Sequence, residues 1–283
     1  MDDILYKLIA DPLSCLGELR KRNLLKTILP EVAALINLNQ KSDFHTEDVY
    51  MHTLNVLKAL PENSSTECIL AAIFHDVGKA VVQSYDKTKD VYHFYSHEKK
   101  SLDLFKKASR RLGFNLVEID VDKISWLIDK HMKAQLSWSS IENPKKTIEK
   151  NFFGKEKFNK NIYQNYYNDF LVFLQADILG AVPCDKSITV NKTKNLCLFS
   201  ELLTDINKEI RAREKKNSIE KKVKKIWNGN SVLRLFSVKG PEVGCLLELG
   251  QKYVLRRMYE GDEPVDERDV SIYVKKILNA RKD

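Results

Sequence analysis

Apolar side chains recur every three to four positions along most of this chain, which is the spacing of one face of an α-helix. Alternating apolar and polar runs, which are typical of strands, are few. The 283 residues include only 10 glycines and 7 prolines, and neither an internal repeat nor a low-complexity tract is visible. The pattern therefore predicts an all-α protein, built as a helical bundle with a smaller helical C-terminal extension.

The chain divides into three parts that differ in histidine content. Residues 1–43 are predicted to form short helices that pack on the part that follows. Residues 44–185 contain all six histidines, and residues 186–283 contain none. Within the last part, residues 207–225 are rich in Lys and Arg and helical in composition, and Asp266 is a good N-cap for a final helix. We therefore expect a histidine-bearing central domain and a helical C-terminal region that could contact RNA.

Five of the predicted helical segments place an ionisable side chain on the same face as apolar residues. A lone histidine there is most often a hydrogen-bonded core residue, whereas a buried carboxylate without a partner is costly. Five such segments need a common explanation. If the faces converge, four histidines and two aspartates meet in one polar pocket. These residues are His52, His75, Asp76, His97, His131 and Asp177.

A divalent cation would balance the two carboxylates and use the imidazole nitrogens as ligands. The mixed nitrogen and oxygen set argues against a structural zinc site of the thiolate type. It favours Ni, Mn, Co or Fe, while catalytic Zn also fits and Mg suits so many imidazoles less well. Such an ion lowers the pKa of a bound water and binds a phosphoryl oxygen. This chemistry predicts a metal-dependent hydrolase of phosphate esters.

Two arrangements of the ligands are compatible with the sequence. With two ions, Asp76 would bridge them, and His97 and His131 would hold the second. With one ion, His97 and His131 would instead bind phosphate or protonate the leaving 2′- or 3′-oxygen. The candidate ligands common to both arrangements are His52, His75, Asp76 and Asp177, and the candidate catalytic residues are Asp76, Lys79, His97 and His131.

Three further side chains are candidates for contacting substrate. Lys79 can reach a substrate phosphate as a point charge, and is otherwise a solvated surface lysine. His45 shares the face of His52 if that helix begins early enough, and Thr46 or Asp43 could equally cap the helix after it. The third is His93, in an aromatic run, "VYHFYSH", that we expect to be a loop.

Charge and cysteine content narrow the class of protein. The net charge of +8, from 47 basic and 39 acidic residues, suits an RNA partner as well as a solvated basic surface. The five scattered cysteines form no CxxC motif, so we interpret them as small buried apolar residues. Without a long apolar run or a secretory signal, we expect a cytoplasmic protein with no membrane association.

The order of the candidate ligands resembles that of the HD phosphohydrolase superfamily. The doublet in "FHDVGK" is preceded by His52 and followed far along the chain by Asp177, which is the order of that superfamily. Members with extended sites carry further histidines between them. In the order of the chain, the matching residues here are His52, His75, Asp76, His97, His131 and Asp177.

The flanking stretches are similar to those of bacterial CCA-adding enzymes, the tRNA nucleotidyltransferases. "LGELRKRNLLKTILPEVAALINLNQ" followed by "FHTEDVYMHTLNVL" looks like the entry into their HD domain, and "GNSVLRLFSVKGPEVGCLLELGQKYVLRRMYEG" looks like their C-terminal region. The resemblance covers roughly residues 13–278. Those enzymes begin with a catalytic head that carries a Gly-Ser motif and paired carboxylates. Because no such head is seen in this sequence, we expect the hydrolytic reaction rather than CCA addition.

The resemblance implies a metal-dependent phosphoesterase that acts on RNA ends or nucleotides. The favoured reaction is opening of a 2′,3′-cyclic phosphodiester, with removal of a 2′-phosphate and general phosphatase action beside it, and a role in tRNA or RNA repair. One alternative is a hydrolase of cyclic mono- or oligonucleotide signals, which would use the same ligands. Another is a non-catalytic tRNA-binding module, which would use the basic residues 207–225.

Overall fold

The computed structural model describes residues 2–40, 42–114, 118–138, 143–153, 160–260 and 265–280. Within these ranges it contains fifteen α-helices, one short π-helical segment and one two-stranded antiparallel sheet, which confirms the predicted all-α class. None of the helices described is both long and apolar enough to cross a membrane. The chain forms two compact units, residues 1–206 and 207–283, whereas the sequence suggested a division after residue 185.

The first unit is built around five helices that carry or flank the candidate ligands. Helix α11 packs along α5 and also contacts α6 and α9, while α8 packs on α9. The close approach of α11 to α5 depends on Gly180, because a Cβ atom there would lie 2.6 Å from the backbone nitrogen of Val56. The five helices are α5 (Val49–Ala59), α6 (Thr66–Phe74), α8 (His97–Leu112), α9 (Val121–Trp138) and α11 (Lys160–Gly180).

Aromatic side chains fill the centre of this bundle. Phe74 and Phe105 meet edge to face, with ring centroids 5.4 Å apart, and both are fully buried. Phe170 and Phe173 are buried on α11 in the same way. Burying such large apolar surfaces is the main favourable contribution to the folding of the bundle.

The N-terminal helices pack on this bundle. Helix α2 contacts α5, and α1 and α4 contact α6. Leu8, Leu16 and Leu29 are buried between these elements. The first four helices are α1 (Asp2–Ala10), α2 (Pro12–Lys21), α3 (Leu25–Ile28) and α4 (Pro30–Ala33).

A small hairpin lies between α7 (Lys79–Val82) and α8. Strand β1 (Ser84–Asp86) pairs with β2 (Val91–His93), so the expectation that His93 lies in a loop is wrong. The turn is stabilised by the Asp86 carboxylate, which accepts a hydrogen bond from the backbone N–H of Thr88 at 2.9 Å. Two strands of three residues are too short to produce a recognisable alternation in the sequence.

The remaining helices of the first unit are α10 (Pro144–Ile148), which is followed by the π-helical segment Glu149–Phe153, and the first part of α12 (Lys186–Ile226). Cys15 and Cys68 are buried, as expected. The expectation of burial is wrong for the other three cysteines, which are exposed. They are Cys184, Cys197 and Cys245.

The second unit has its own core around the indole of Trp227. Its Nε1–H donates to the backbone oxygen of Leu246 at 3.1 Å. Gly250 faces the ring so closely that a Cβ atom there would lie 2.2 Å from Nε1. Asp266 caps the last helix through a capping box, as predicted. The helices after α12 are α13 (Gly229–Leu235), α14 (Pro241–Glu260) and α15 (Glu267–Asn279).

Candidate metal centre

His75 and Asp76 stand just beyond the end of α6. The helix ends at Phe74, His75 is its C-cap, and Asp76 lies in the turn that leads to α7. The apolar spacing in "ILAAIFHD", which places Asp76 on the face of Ile69 and Ile73, predicts a helix that continues through Asp76. In the structure the backbone tightens there, and the Lys79 N–H donates to the Asp76 carbonyl at 2.9 Å. The turn points the Asp76 carboxylate into the interior of the bundle.

The same kind of hydrogen bond to the backbone orients three of the histidines. The Nδ1 atoms of His75, His97 and His131 each lie within hydrogen-bond distance of the carbonyl three residues earlier, at 2.9, 2.9 and 2.6 Å. A carbonyl oxygen can only accept, so each Nδ1 carries the proton and each Nε2 of a neutral ring presents its lone pair. Backbone carbonyls thus fix the tautomer that metal-ligating histidines use.

These Nε2 atoms converge on two buried carboxylates. His97 Nε2 lies 3.1 Å from Asp76 Oδ1 and 3.3 Å from His131 Nε2. His75 Nε2 lies 3.3 Å from Asp76 Oδ2 and 3.6 Å from Asp177 Oδ1. The structure therefore brings together residues from four helices or helix ends, and the outermost of these residues, His75 and Asp177, are about a hundred positions apart in the sequence.

His52 completes the cluster from α5. Its Nε2 lies 3.1 Å from Asp177 Oδ1 and 3.8 Å from Asp76 Oδ2. All six predicted ligands are buried. Their potential ligand atoms form two groups, each within 4.8 Å, which are His52, His75 and Asp177, and Asp76, His97 and His131.

The two carboxylates remain ionised in this environment. Burial alone would raise the pKa of Asp76, but the charges and hydrogen bonds of His75, Lys79 and His97 hold it well below its usual range. Burial alone would also raise the pKa of Asp177, but the hydrogen bonds and charges of His52 and His75 hold it well below its usual range. Charged carboxylates are the form that binds metal.

The pKa values of His75 and His131 shift in opposite directions. Burial alone would lower the pKa of His75, but Asp76 and Asp177 raise it to about 10, so the surroundings favour positive charge at its Nε2. Burial, reinforced by His97 and His75, lowers the pKa of His131 to about 3, which keeps that ring neutral with its lone pair available. The pocket thus favours a positive charge next to His75 and offers the neutral ring of His131 as a nitrogen donor.

The donor set fits a divalent metal ion. His75 Nε2 is buried and, among the residues described, has no hydrogen-bond partner, although it faces two carboxylates. A lone pair held against carboxylate oxygens is repulsive unless a cation lies between them. A metal ion can supply that charge in place of a proton, and imidazole together with carboxylate suits the borderline transition metals.

Comparisons with known proteins support this interpretation. Residues 43–150 match the family model of the HD domain. Residues 43–150 are therefore an HD domain. Of the six candidate ligands, only Asp177 lies beyond the matched range, and the fold returns it to the HD domain through α11.

Relatives of this HD domain occur in tRNA nucleotidyltransferases. The chain is 33% identical over 105 residues to the Multifunctional CCA protein of Burkholderia mallei, which covers 36% of this chain and 24% of that protein. It is 31% identical over 134 residues to the CC-adding tRNA nucleotidyltransferase of Thermus thermophilus, which covers 45% of this chain and 30% of that protein.

The matched part thus spans about a quarter to a third of the length of these curated relatives. The predicted extension of the resemblance over residues 13–278 stays a prediction where these matches do not reach. No solved structure matches the chain.

Lys79 lies inside the HD domain and not at its surface. Its Nζ is 2.7 Å from Asp76 Oδ2 and 2.7 Å from the side-chain oxygen of Gln40, and the residue is buried. The alternative of a solvated surface lysine is therefore wrong. Because its charge is already paired with Asp76, its predicted contact with a substrate phosphate stays a prediction.

His45 reaches the HD cluster from a loop. Helix α5 begins at Val49 with Asp48 as its N-cap, so neither Thr46 nor Asp43 caps it and His45 is not on its face. Even so, the His45 ring packs edge to face on His52, with centroids 4.7 Å apart. Burial lowers the pKa of His45 to about 4, and its Nδ1 lies 3.1 Å from a Glu47 carboxylate oxygen.

The residues around His45 and Lys79 also include two that the sequence did not single out. Glu47 Oε1 lies 3.5 Å from His52 Nδ1, and Gln40 is buried against Lys79. Both lie outside regular helices, where periodicity carries no information. The available signal was their polarity, next to the "FHTED" stretch of the HD domain.

His93 belongs to the hairpin of the HD domain. Its ring stacks on Tyr95, with centroids 5.1 Å apart, and its Nε2 lies 3.9 Å from Asp86 Oδ2. Neither partner belongs to the two groups of candidate ligands. Its contact with substrate stays a prediction.

Proposed function

We propose that this chain is a metal-dependent phosphoesterase that acts on RNA ends or nucleotides, with opening of a 2′,3′-cyclic phosphodiester as its favoured reaction. The observation that carries the proposal is the convergence of four histidines and two aspartates in one buried cluster of an HD domain. Such a set of donors has no evident use in a core without a bound cation.

We propose that the cluster holds two ions. The two oxygens of Asp76 face different groups of ligands, since Oδ1 lies nearest His97 and Oδ2 faces His75 and His52. A bridging carboxylate has this arrangement. The first ion would be held by His52, His75 and Asp177, the second by His97 and His131, and Asp76 would be shared. We propose Ni, Mn, Co or Fe as the ions, while catalytic Zn also fits the donor set and Mg suits it less well.

When bound, a divalent ion lowers the pKa of water and offsets the negative charge of a phosphoryl group. The other parts of the reaction belong to the protein. Asp76 and Asp177 supply fixed negative charge, Lys79 offsets part of it at Asp76, and the aromatic ring of Phe173 packs edge to face on His75 at 5.5 Å. We propose that His45, which is partly exposed and packs on His52, contacts the substrate.

The choice of an RNA terminus as substrate is supported by the relatives. One of them is by name a tRNA nucleotidyltransferase, and the similarity lies over the HD region. The basic composition of the chain also favours a polyanionic substrate. A 2′,3′-cyclic phosphate at an RNA end, or the corresponding mononucleotide, satisfies both observations.

Hydrolysis assays test the proposal directly. Purified protein is incubated with 2′,3′-cyclic AMP and with an RNA oligonucleotide that ends in a 2′,3′-cyclic phosphate, in the presence of Ni²⁺ or Mn²⁺, with and without a chelator. We expect chelator-sensitive turnover that Asp76→Asn abolishes. The matched control is Asp103→Asn, since the Asp103 side chain is 64% exposed on α8. No hydrolysis of any phosphoester with any metal would show that the proposal is wrong.

The same assays separate the two alternatives. Faster turnover of a cyclic dinucleotide than of the RNA end would favour a signal hydrolase. The non-catalytic alternative is supported by residues 211–218 of α12, which are all exposed and include four basic side chains. It predicts tRNA binding that weakens with salt and is unchanged in Asp76→Asn.

A further inference from the structure

The segment between α11 and α12 is hydrogen-bonded to the loop that carries His45. The Thr46 N–H donates to the Val182 carbonyl at 2.8 Å, and the Cys184 N–H donates to the Asp43 carbonyl at 3.0 Å. The Val182 N–H in turn lies 3.3 Å from both Glu47 carboxylate oxygens. These bonds join residues more than 130 positions apart, and they fix the start of α12 beside the His/Asp cluster.

Lys192 extends from this part of α12. Its Nζ lies 4.8 Å from the centroid of the Phe44 ring, and Phe44 directly precedes His45, whose ring contacts His52. Lys192 is partly buried, and burial lowers the pKa of its ammonium group, which also interacts with the charges of Asp177 and Lys79. Lys192 therefore lies beside Phe44 and near the His45 ring that contacts the cluster.

The two lysines near the cluster differ in how their charge is satisfied. Lys79 is paired with Asp76 at 2.7 Å and also hydrogen-bonded to Gln40. Lys192 forms no ion pair with a carboxylate within 4 Å in the part of the chain that the structure describes. Its Nζ instead lies over the face of Phe44, which is itself 49% exposed. A partly desolvated ammonium group without a carboxylate gains more from an incoming anion than one that is already paired.

We propose that Lys192 is a substrate-binding residue that contacts the phosphate of the nucleotide or RNA end, and that Phe44 positions it. This inference rests on the proposed phosphoesterase function. In this proposal the cation that binds the substrate phosphate is Lys192, and not Lys79 as predicted from the sequence. The cation–π contact holds the long side chain of Lys192 against Phe44 without neutralising its charge, so the charge remains available to substrate.

Equilibrium binding tests the assignment independently of turnover. Adenosine 3′-monophosphate is titrated into the metal-loaded full-length chain by calorimetry. We expect Lys192→Met to weaken binding about tenfold, as for the loss of one charge-assisted hydrogen bond, and Lys192→Arg to restore part of it. The matched control is Lys194→Met, because Lys194 is exposed two positions further along the same helix.

A double-mutant cycle tests the role of Phe44. Phe44→Leu should weaken binding about two- to fivefold, and should have no further effect in a Lys192→Met background, because both changes remove the same interaction. Equal binding by the wild type and Lys192→Met, or no binding by the wild type, would overturn the assignment. Loss of binding in Lys192→Met without any measurable hydrolysis would support the assignment and refute the proposed activity.

Discussion

His97 Nε2 and His131 Nε2 lie 3.3 Å apart, although both rings donate their Nδ1–H groups to backbone carbonyls. Two neutral rings oriented in this way direct lone pairs at each other. A proton on His131 would relieve this repulsion, but burial and the neighbouring histidines lower the pKa of His131 to about 3. Its ring therefore stays neutral at neutral pH. A metal ion held by His97, His131 and Asp76 would remove the conflict, because both lone pairs would then serve as ligands.

The first prediction concerns metal content. We expect about two ions of Ni²⁺ or Mn²⁺ per chain by elemental analysis, and about one in His131→Ala, because only the group with His97 loses a ligand. His93→Ala is the control, since His93 lies on the hairpin with Asp86 and Tyr95. Unchanged metal content in His131→Ala would refute the role of this pair.

Metal removal should also change stability. A ligand that binds only the folded state at a hundred times its Kd stabilises it by about 2.7 kcal/mol. We therefore expect a chelator to lower the thermal unfolding midpoint and readdition of Mn²⁺ to restore it. His131→Ala should show a smaller response to the ion than His93→Ala.

The second prediction concerns Glu47. Its carboxylate oxygen lies 3.5 Å from His52 Nδ1 and 3.1 Å from His45 Nδ1, so it favours the His52 tautomer that presents Nε2 to Asp177. Removing such an outer partner typically weakens metal binding by about 10–100-fold. We expect Glu47→Gln to weaken binding near the lower end of that range, as measured by competition with a chromophoric chelator.

The control for Glu47 is Glu62→Gln, since Glu62 is an exposed carboxylate in the loop before α6. The unfolding free energy of Glu47→Gln should change by less than about 1 kcal/mol, because the amide still accepts from the Val182 N–H. Metal affinity equal to that of the wild type would mean that Glu47 does not orient His52.

The helical parts of the cluster were predictable from the sequence, and the loop parts were not. His131 and Asp177 lie within long helices, where the apolar face indicates the inward direction. The position of Glu47 depends on hydrogen bonds between its loop and Val182, which no local pattern encodes. The same holds for Lys192, whose relation to Phe44 depends on how the start of α12 is held.

The third prediction concerns Gly78. An added Cβ atom there would lie 2.2 Å from the carbonyl oxygen of His97 and 2.5 Å from the backbone nitrogen of Ser101. The first turn of α8 would have to move, and His97 with it. We expect Gly78→Ala to destabilise the protein by about 1–3 kcal/mol in urea unfolding and to weaken metal binding.

Gly17→Ala is the matched control for Gly78→Ala. Gly17 lies within α2, and an added Cβ atom would have no neighbour within 4 Å. Replacing a glycine inside a helix by alanine should stabilise it by about 0.5–1 kcal/mol. The two substitutions should therefore change stability in opposite directions. Similar effects of the two would show that the approach of the turn to α8 is not tight.

The fourth prediction concerns the pH dependence of stability through Cys68. Burial, together with the negative charge of Asp169, raises the pKa of its thiol from 9.0 to about 12. Because the folded state retains the proton longer than the unfolded state, this contribution to stability is fully present below about pH 9 and is lost as the pH rises towards 12. Between about pH 8 and pH 10 the unfolding free energy of the wild type should fall by about 1 kcal/mol more than that of Cys68→Ala. Cys184→Ala is the control, because the Cys184 thiol is exposed and this variant should therefore follow the wild type.

Thiol labelling tests the burial of Cys68 directly. At about pH 8 it should detect Cys184, Cys197 and Cys245 in the folded protein and all five cysteines in guanidinium. Rapid labelling of Cys68 in the folded state would contradict its burial.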